Sequence, residues 1–130
     1  MKLSEKQADF LWMVNDLLTW IRPVIETNNV LLKVIEWNRR METQRQYVAE
    51  GLSRTLQSKH LISLAVDFGI IKNGKFLRES SIYTMMGEQW RNIGGRWGGE
   101  FQNLIDPYHF EYNEKRRKEY LDTLGGENGS

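Results

Sequence analysis

The chain holds two histidines, His60 and His109, and no cysteine. Asp67 lies inside the run Leu64-Ala65-Val66-Asp67-Phe68-Gly69-Ile70-Ile71, where every neighbour is apolar or glycine. An unpaired carboxylate there would cost several kcal/mol or stay protonated, so it needs a cation or good hydrogen-bond donors. His60 precedes this strand-like run, whereas His109 and Glu111 alternate with Tyr108, Phe110 and Tyr112 much further on. Period-two spacing puts His109 and Glu111 on one face and the aromatics on the other. Asp106 stands three residues before His109. Two imidazoles and one carboxylate make a catalytic zinc shell with an open fourth position. His60, Asp67 and His109 can supply it, with Asp106 or Glu111 as the carboxylate that handles the proton. The competing reading pairs Asp67 with an arginine and leaves each histidine on the surface or satisfied in the core.

The elements that would position these groups follow from periodicity. Residues 3–22 carry Phe10, Leu11, Val14, Leu17, Leu18 and Ile21 at helical spacing, with Ser4 as cap and Pro23 as the stop. Residues 30–37 and 64–71 read as strands, and residues 42–50 as a helix closed by Gly51. Asn73-Gly74 marks a tight turn. Residues 79–93 read as a helix with Ile82, Met85, Met86 and Trp90 on one side. Gly94, Gly95, Gly98 and Gly99 bracket Arg96 and Trp97 in a loop, and residues 108–112 form a short strand. Residues 113–124 read as a charged helix or a partly ordered tail, and residues 125–130 as disordered. The fold class is α+β, a small antiparallel sheet flanked by helices, in one domain over residues 1–124.

Composition narrows the function. Eighteen Lys and Arg against seventeen Asp and Glu leave a net charge of +1 in 130 residues, too little to favour nucleic acid or an anionic membrane surface. Without cysteine there is no disulfide, thiolate nucleophile, iron–sulfur cluster or Cys-based zinc site. No apolar stretch approaches the ~20 residues of a membrane span, and the first ten residues lack a signal-peptide core. A soluble chain made in the cytoplasm is expected.

The flanks of the candidate ligands carry a family resemblance. Ser58-Lys59-His60-Leu61-Ile62-Ser63-Leu64-Ala65-Val66-Asp67 resembles the S-x-H-x-x-G-x-A-x-D signature of the M15 zinc peptidases. Asp106-Pro107-Tyr108-His109-Phe110-Glu111 resembles their second signature, D/E-x-x-H-x-E. Gly51-Leu52-Ser53-Arg54-Thr55 resembles the G-x-S-x-T lead-in, and Trp97-Gly98-Gly99-Glu100-Phe101 the W-G-G-D-W/F turn. Arg39 and Gln44 are spaced like the R-x-x-x-x-Q element. The resemblance spans about residues 30–112 and is greatest to phage L-alanyl-D-glutamate peptidases, relatives of D-Ala-D-Ala carboxypeptidases and dipeptidases. Ser63 replaces the usual Gly, and Arg40 a commoner Thr or Ser.

The resemblance implies a Hedgehog/DD-peptidase-like fold and a role for each position. His60, Asp67 and His109 would bind one Zn²⁺ per chain, and Asp106 would be general base and acid. Arg39 would stabilise the oxyanion or hold a substrate carboxylate, the alternative being an ion pair with Glu36 or Glu42. Glu111 would orient a ligand through a ring N–H, and Ser58 would shape the loop. Trp97 is open between a substrate wall and simple packing, whereas Trp12, Trp20, Leu17 and Leu18 read as core. The implied substrate is the peptidoglycan stem peptide, cut by a monomeric endolysin that leaves the host cytoplasm with the help of a holin. D-Ala-D-Ala cleavage and a non-catalytic wall-binding domain are the alternatives.

Overall fold

Alternation along β2 (Ala65–Lys72) organises the molecule. Val66, Phe68 and Ile70 point to one face and are buried in the core; Asp67 points to the other. The computed structural model describes residues 1–38, 41–51 and 58–127. Their elements are α1 (Leu3–Thr27), β1 (Leu31–Glu36), α2 (Met41–Ala49), a 3₁₀ turn (Lys59–Ile62), β2, β3 (Lys75–Leu77), α3 (Ser81–Asn92), β4 (Gly95–Trp97), a second 3₁₀ turn (Gly98–Glu100), β5 (His109–Tyr112) and α4 (Glu114–Glu127). The sheet runs β1-β2-β5-β4, with β3 also paired to β2, and each pairing is antiparallel. The architecture is α+β, as expected.

Helices α1 and α3 cover the apolar face. Phe10, Met13, Val14, Leu17 and Ile21 of α1 meet Ile82, Tyr83, Met86 and Trp90 of α3 over Phe68, Ile70, Phe110 and Tyr112. These α1 positions recur every three or four residues and define one narrow stripe. Trp12 lies about 200° round the helix from Phe10, which is why it is 65% exposed rather than core. Trp20 and Leu18 flank the stripe and are also exposed, whereas Leu17 is buried as expected.

The N-terminal helix differs from expectation at both ends. It starts at Leu3, so Ser4 lies inside it; the Lys2 amide donates instead to Glu5 Oε1 at 3.3 Å. Pro23 does not stop it, and the helix continues to Thr27. A proline forfeits one backbone bond, while Val24 and Ile25 just beyond it pack against the core. Asn28 Nδ2 then closes the last turn on the Val24 carbonyl at 2.7 Å.

Short pairings account for the other differences. Asn73 and Gly74, both at positive φ, make the two-residue turn that folds β3 back on β2. The glycine-bracketed segment expected as a loop contains β4, which forms because Gly95, Arg96 and Trp97 pair with Tyr112, Glu111 and Phe110. Tyr108 precedes β5 rather than belonging to it, although its ring packs on Tyr83 and Phe76. The charged C-terminal segment is helix α4 and extends to Glu127, beyond the expected boundary. Residues 128–130 lie outside the described residues.

Ser63 closes the first 3₁₀ turn at φ 53°, ψ 39°, the left-handed region where a Cβ is penalised. Ser63→Gly is expected to raise stability by about 0.5–1 kcal/mol, the strain relieved less the extra freedom of the unfolded glycine. Urea unfolding of the two proteins would measure it, and unchanged or lower stability would contradict the strain.

Candidate metal centre

Three elements bring the histidines and Asp67 together on the open face of the sheet. The 3₁₀ turn presents His60, and the Ser58 hydroxyl caps that turn by accepting the His60 amide at 3.2 Å. Strand β2 presents Asp67, and the pairing of Asp67 with His109 sets β5 beside it. A bulge in β1 between Val34 and Glu36 lies at the same level and places Glu36 opposite Asp67.

His60 Nε2, Asp67 Oδ1 and His109 Nδ1 form a triangle with sides of 3.2, 3.0 and 3.2 Å. Zinc bonds of about 2.0–2.1 Å at tetrahedral angles require donor separations near 3.3 Å. The donor set therefore fits Zn²⁺ in spacing and in kind: two borderline nitrogens, one carboxylate oxygen.

Both rings are held so that the correct nitrogen faces inward. His60 Nδ1 is 3.1 Å from the Trp37 carbonyl, which only accepts, so Nδ1 donates there and Nε2 is the nitrogen left facing inward. His109 Nε2 donates to Glu111 Oε1 at 2.8 Å, which aims Nδ1 at the triangle. Lys59 Nζ and Arg96 Nη1 stand 3.4 and 3.5 Å from the other Glu111 oxygen. Lys59 also donates to the Tyr112 carbonyl at 2.6 Å, and the Arg96 guanidinium covers the Phe101 ring at 4.3 Å. Phe101 in turn packs against the His109 ring.

The charges respond to this packing. Burial alone would raise the Asp67 carboxyl, but hydrogen bonds from His109 and His60 outweigh it and hold it at about 2. Burial would lower His109, yet its bonds to Asp67 and Glu111 lift the imidazole to about 9. The Glu111 carboxyl is lowered despite burial, through His109 first and then Lys59 and Arg96.

Asp106 occupies a tight turn leading into β5. Its carbonyl accepts the His109 amide at 3.2 Å, its Oδ1 accepts the Tyr108 amide at 3.2 Å, and its amide donates to Gly98 at 3.0 Å. A Cβ on Gly98 would lie 2.1 Å from the Asp106 carbonyl oxygen and 2.9 Å from His109 Cβ. Only glycine permits that approach. Burial first, and the charge of Asp67 second, push the Asp106 carboxyl up.

The structure thus gathers His60, Asp67 and His109, puts Glu111 against His109 and Ser58 under His60, and places Asp106 in electrostatic reach of the triangle. Trp97 packs against the edge of the core. Arg39, Arg40 and the Ser53–Arg54–Thr55 segment lie outside the described residues, whereas Gln44 is fully buried. Sequence reasoning missed Lys59, Arg96 and the Trp37 carbonyl. Lys59 adjoins His60 and Arg96 adjoins Trp97, so two had a positional signal; a backbone carbonyl has none.

The sequence and fold are similar to those of known peptidases. Residues 51–112 match a family described as D-alanyl-D-alanine carboxypeptidase. An L-alanyl-D-glutamate peptidase of Listeria phage A118 is 29% identical over 94 residues, which cover 69% of this chain and 33% of that protein. The chain thus spans about a third of the length of that curated relative. The crystal structure of the Serratia marcescens L-Ala D-Glu endopeptidase ChiX superposes with a TM-score of 0.60 at 33% identity, covering 78% of this chain and 80% of that one. The vancomycin resistance D,D-pentapeptidase VanY, solved with Zn(II), shares the fold with a TM-score of 0.56 at 18% identity, over 87% of this chain and 76% of that one. With a candidate ligand triangle on the same scaffold and 33% identity to one solved endopeptidase over 78% of its length, the chain belongs to the M15 peptidase family.

Proposed function

We propose that the protein is a zinc-dependent peptidase that hydrolyses the L-alanyl-D-glutamate bond of peptidoglycan stem peptides. The observation that carries the reading is the convergence of His60 Nε2, Asp67 Oδ1 and His109 Nδ1, with each outer ring nitrogen held by an acceptor. The choice of bond is supported by the Serratia endopeptidase and the Listeria phage peptidase. The phage relative supports a lytic role, in which a monomeric enzyme leaves the host cytoplasm through a holin lesion to reach the wall. D-Ala-D-Ala cleavage is the second reading, favoured by the description of the matching family.

Bound by His60, Asp67 and His109, Zn²⁺ would supply a Lewis acid that polarises the scissile carbonyl and acidifies water. The protein's own groups then divide the work. Asp106 accepts the proton as water oxygen attacks the carbonyl carbon. When the C–N bond breaks, Asp106 delivers that proton to the departing amine. Arg39 holds the developing oxyanion with its fork of donors. Glu111 keeps the His109 ring oriented, and the Trp37 carbonyl does the same for His60.

One zinc per chain is expected after metal loading. His60→Ala or His109→Ala should abolish stoichiometric zinc, measured by elemental analysis, and peptidoglycan hydrolysis with it. Either variant retaining full zinc would remove that residue from the ligand set. Release assays on purified peptidoglycan, with the new amino termini identified, distinguish the two bonds.

Protonation gives a separate check. His109 sits at about 9 in the metal-free fold, above its ordinary value near 6.5. Its contribution to metal-free stability is therefore fully present below about 6.5 and lost as pH rises through about 9. Zinc needs the neutral ring, so binding near pH 7 should release protons into a weak buffer. The metal-free Tm should fall between pH 6.5 and 9, while the stabilisation by zinc grows over the same interval. A metal-free Tm that rises across this range would contradict the His109 assignment.

Asp106→Asn should keep zinc and lose turnover by about 10²-fold or more. Arg39→Ala should keep zinc and lose about a hundredfold, near 3 kcal/mol of transition-state stabilisation. Arg40→Ala is expected to be nearly silent. An inactive Arg40→Ala beside an active Arg39→Ala would shift the oxyanion role by one residue.

A further inference from the structure

Asp106 must be aimed without being a metal ligand, and the groups that fix its turn are visible. Pro107 follows it, and the Pro107 carbonyl accepts the indole N–H of Trp97 at 2.8 Å. The indole itself is wedged between two glycines. A Cβ on Gly87 of α3 would lie 2.1 Å from Trp97 Cδ2, and one on Gly99 would lie 2.3 Å from Trp97 Cζ2. Such approaches leave the ring no room to slide. Trp97 is also the last residue of β4, paired with Phe110 in β5, so both its backbone and its ring are anchored. From the other side, Tyr108 donates its hydroxyl to the Arg78 carbonyl at 2.8 Å.

We propose that Trp97 is a positioning residue for Asp106: its wedged indole holds the Pro107 carbonyl and thereby sets where the Asp106 carboxylate stands. The proposal rests on the reading of Asp106 as the proton acceptor. It assigns the Trp97 ring to the back of the catalytic turn rather than to contact with the substrate. The physical basis is rigidity. A carboxylate displaced by about 1 Å from its proton-accepting position can cost up to 10²-fold in rate, without altering how substrate binds. A hydrogen bond from a packed indole is a stiff support, because the ring that donates it is itself immobilised by α3.

The test uses the full zinc-loaded chain and a soluble synthetic stem peptide carrying both L-Ala-D-Glu and D-Ala-D-Ala bonds. Trp97→Phe removes the donor and part of the ring. Replacing Trp97 with β-(3-benzothienyl)alanine removes the donor alone and preserves the ring shape, so it serves if the phenylalanine variant does not fold. The expected result for the donor-free ring is a kcat lower by about tenfold, with KM and zinc content unchanged. In the Asp106→Asn background the same replacement should cause no further loss of kcat, because the group it positions is gone. A raised KM at unchanged kcat would overturn the proposal in favour of a substrate wall. An equal loss in both backgrounds would overturn it in favour of general packing. Wild-type kcat in the Trp97 variants beside an impaired Asp106→Asn would overturn the proposal alone. Wild-type turnover by Asp106→Asn would overturn the reading on which it rests.

Discussion

A half-buried aspartate on the central strand must be compensated, and the sheet is arranged around that requirement. Asp67 is flanked on β2 by buried Val66 and Phe68, which commit the strand to the core and hold the carboxylate partly buried on the opposite face. His60 and His109 supply the compensation at 3.2 and 3.0 Å. That demand fixes the register of β5, because His109 reaches Asp67 only when the two residues are paired. A slip of one residue would turn His109 and Glu111 into the core and expose Phe110. Apolar burial and polar compensation therefore select the same register, one from each face of the sheet.

The surrounding groups continue this chain of compensation outward. Glu111 satisfies His109, and Lys59 and Arg96 satisfy Glu111. Each step moves the uncompensated charge closer to solvent, where it costs less. In the metal-free fold the His109 imidazolium lies between two carboxylates, Asp67 and Glu111. A divalent cation in the triangle would take over its role towards Asp67, and the proton would leave. Proton and metal thus compete for one position, and the packing that raises His109 to about 9 also shapes the metal site.

Much of this was legible in the residues because it depends on side-chain type and period. Asp67 stood out as the lone acid in an apolar run. With no cysteine and two histidines there was one way to build a nitrogen-bearing ligand set. The alternation in β5 correctly separated His109 and Glu111 from Phe110 and Tyr112. What could not be read depends on tertiary contact. Strands β3 and β4 have three residues each and no pattern of their own; they exist because β2 and β5 offer them partners. Pro23 reads as a helix stop locally, but burial of Val24 and Ile25 beyond it carries α1 on to Thr27. Trp12, Trp20 and Leu18 read as core from their helical spacing, but their angular position on α1 places them outside the buried stripe rather than in it. The Trp37 carbonyl that holds His60 is backbone, which any residue at that position would present.

Strand β5 shows why so small a sheet can hold the His60–Asp67–His109 geometry. On the site face its position is set by His109 and Glu111. On the other face the Tyr112 hydroxyl donates to Asp9 Oδ2 at 3.0 Å, and Asp9 is gripped by two nitrogens of buried Arg117. Arg117 also donates to the Ile93 carbonyl at 2.7 Å, so one guanidinium ties α4 to α1 and to the end of α3. Between these anchors the Trp90 indole of α3 donates to the Glu111 carbonyl at 3.0 Å. The four residues of β5 are therefore bonded to both neighbouring strands and, through their side chains or backbone, to α1 and α3. A strand of that length would be marginal on ladder bonds alone. Cross-bracing by buried, mutually satisfied polar groups makes it rigid, since breaking one bond would strand its partner without water. Helix α3 takes part twice, bracing Glu111 through Trp90 and enclosing the Trp97 indole through Gly87. The geometry of the candidate metal centre thus leans on a helix that contributes none of its three donors.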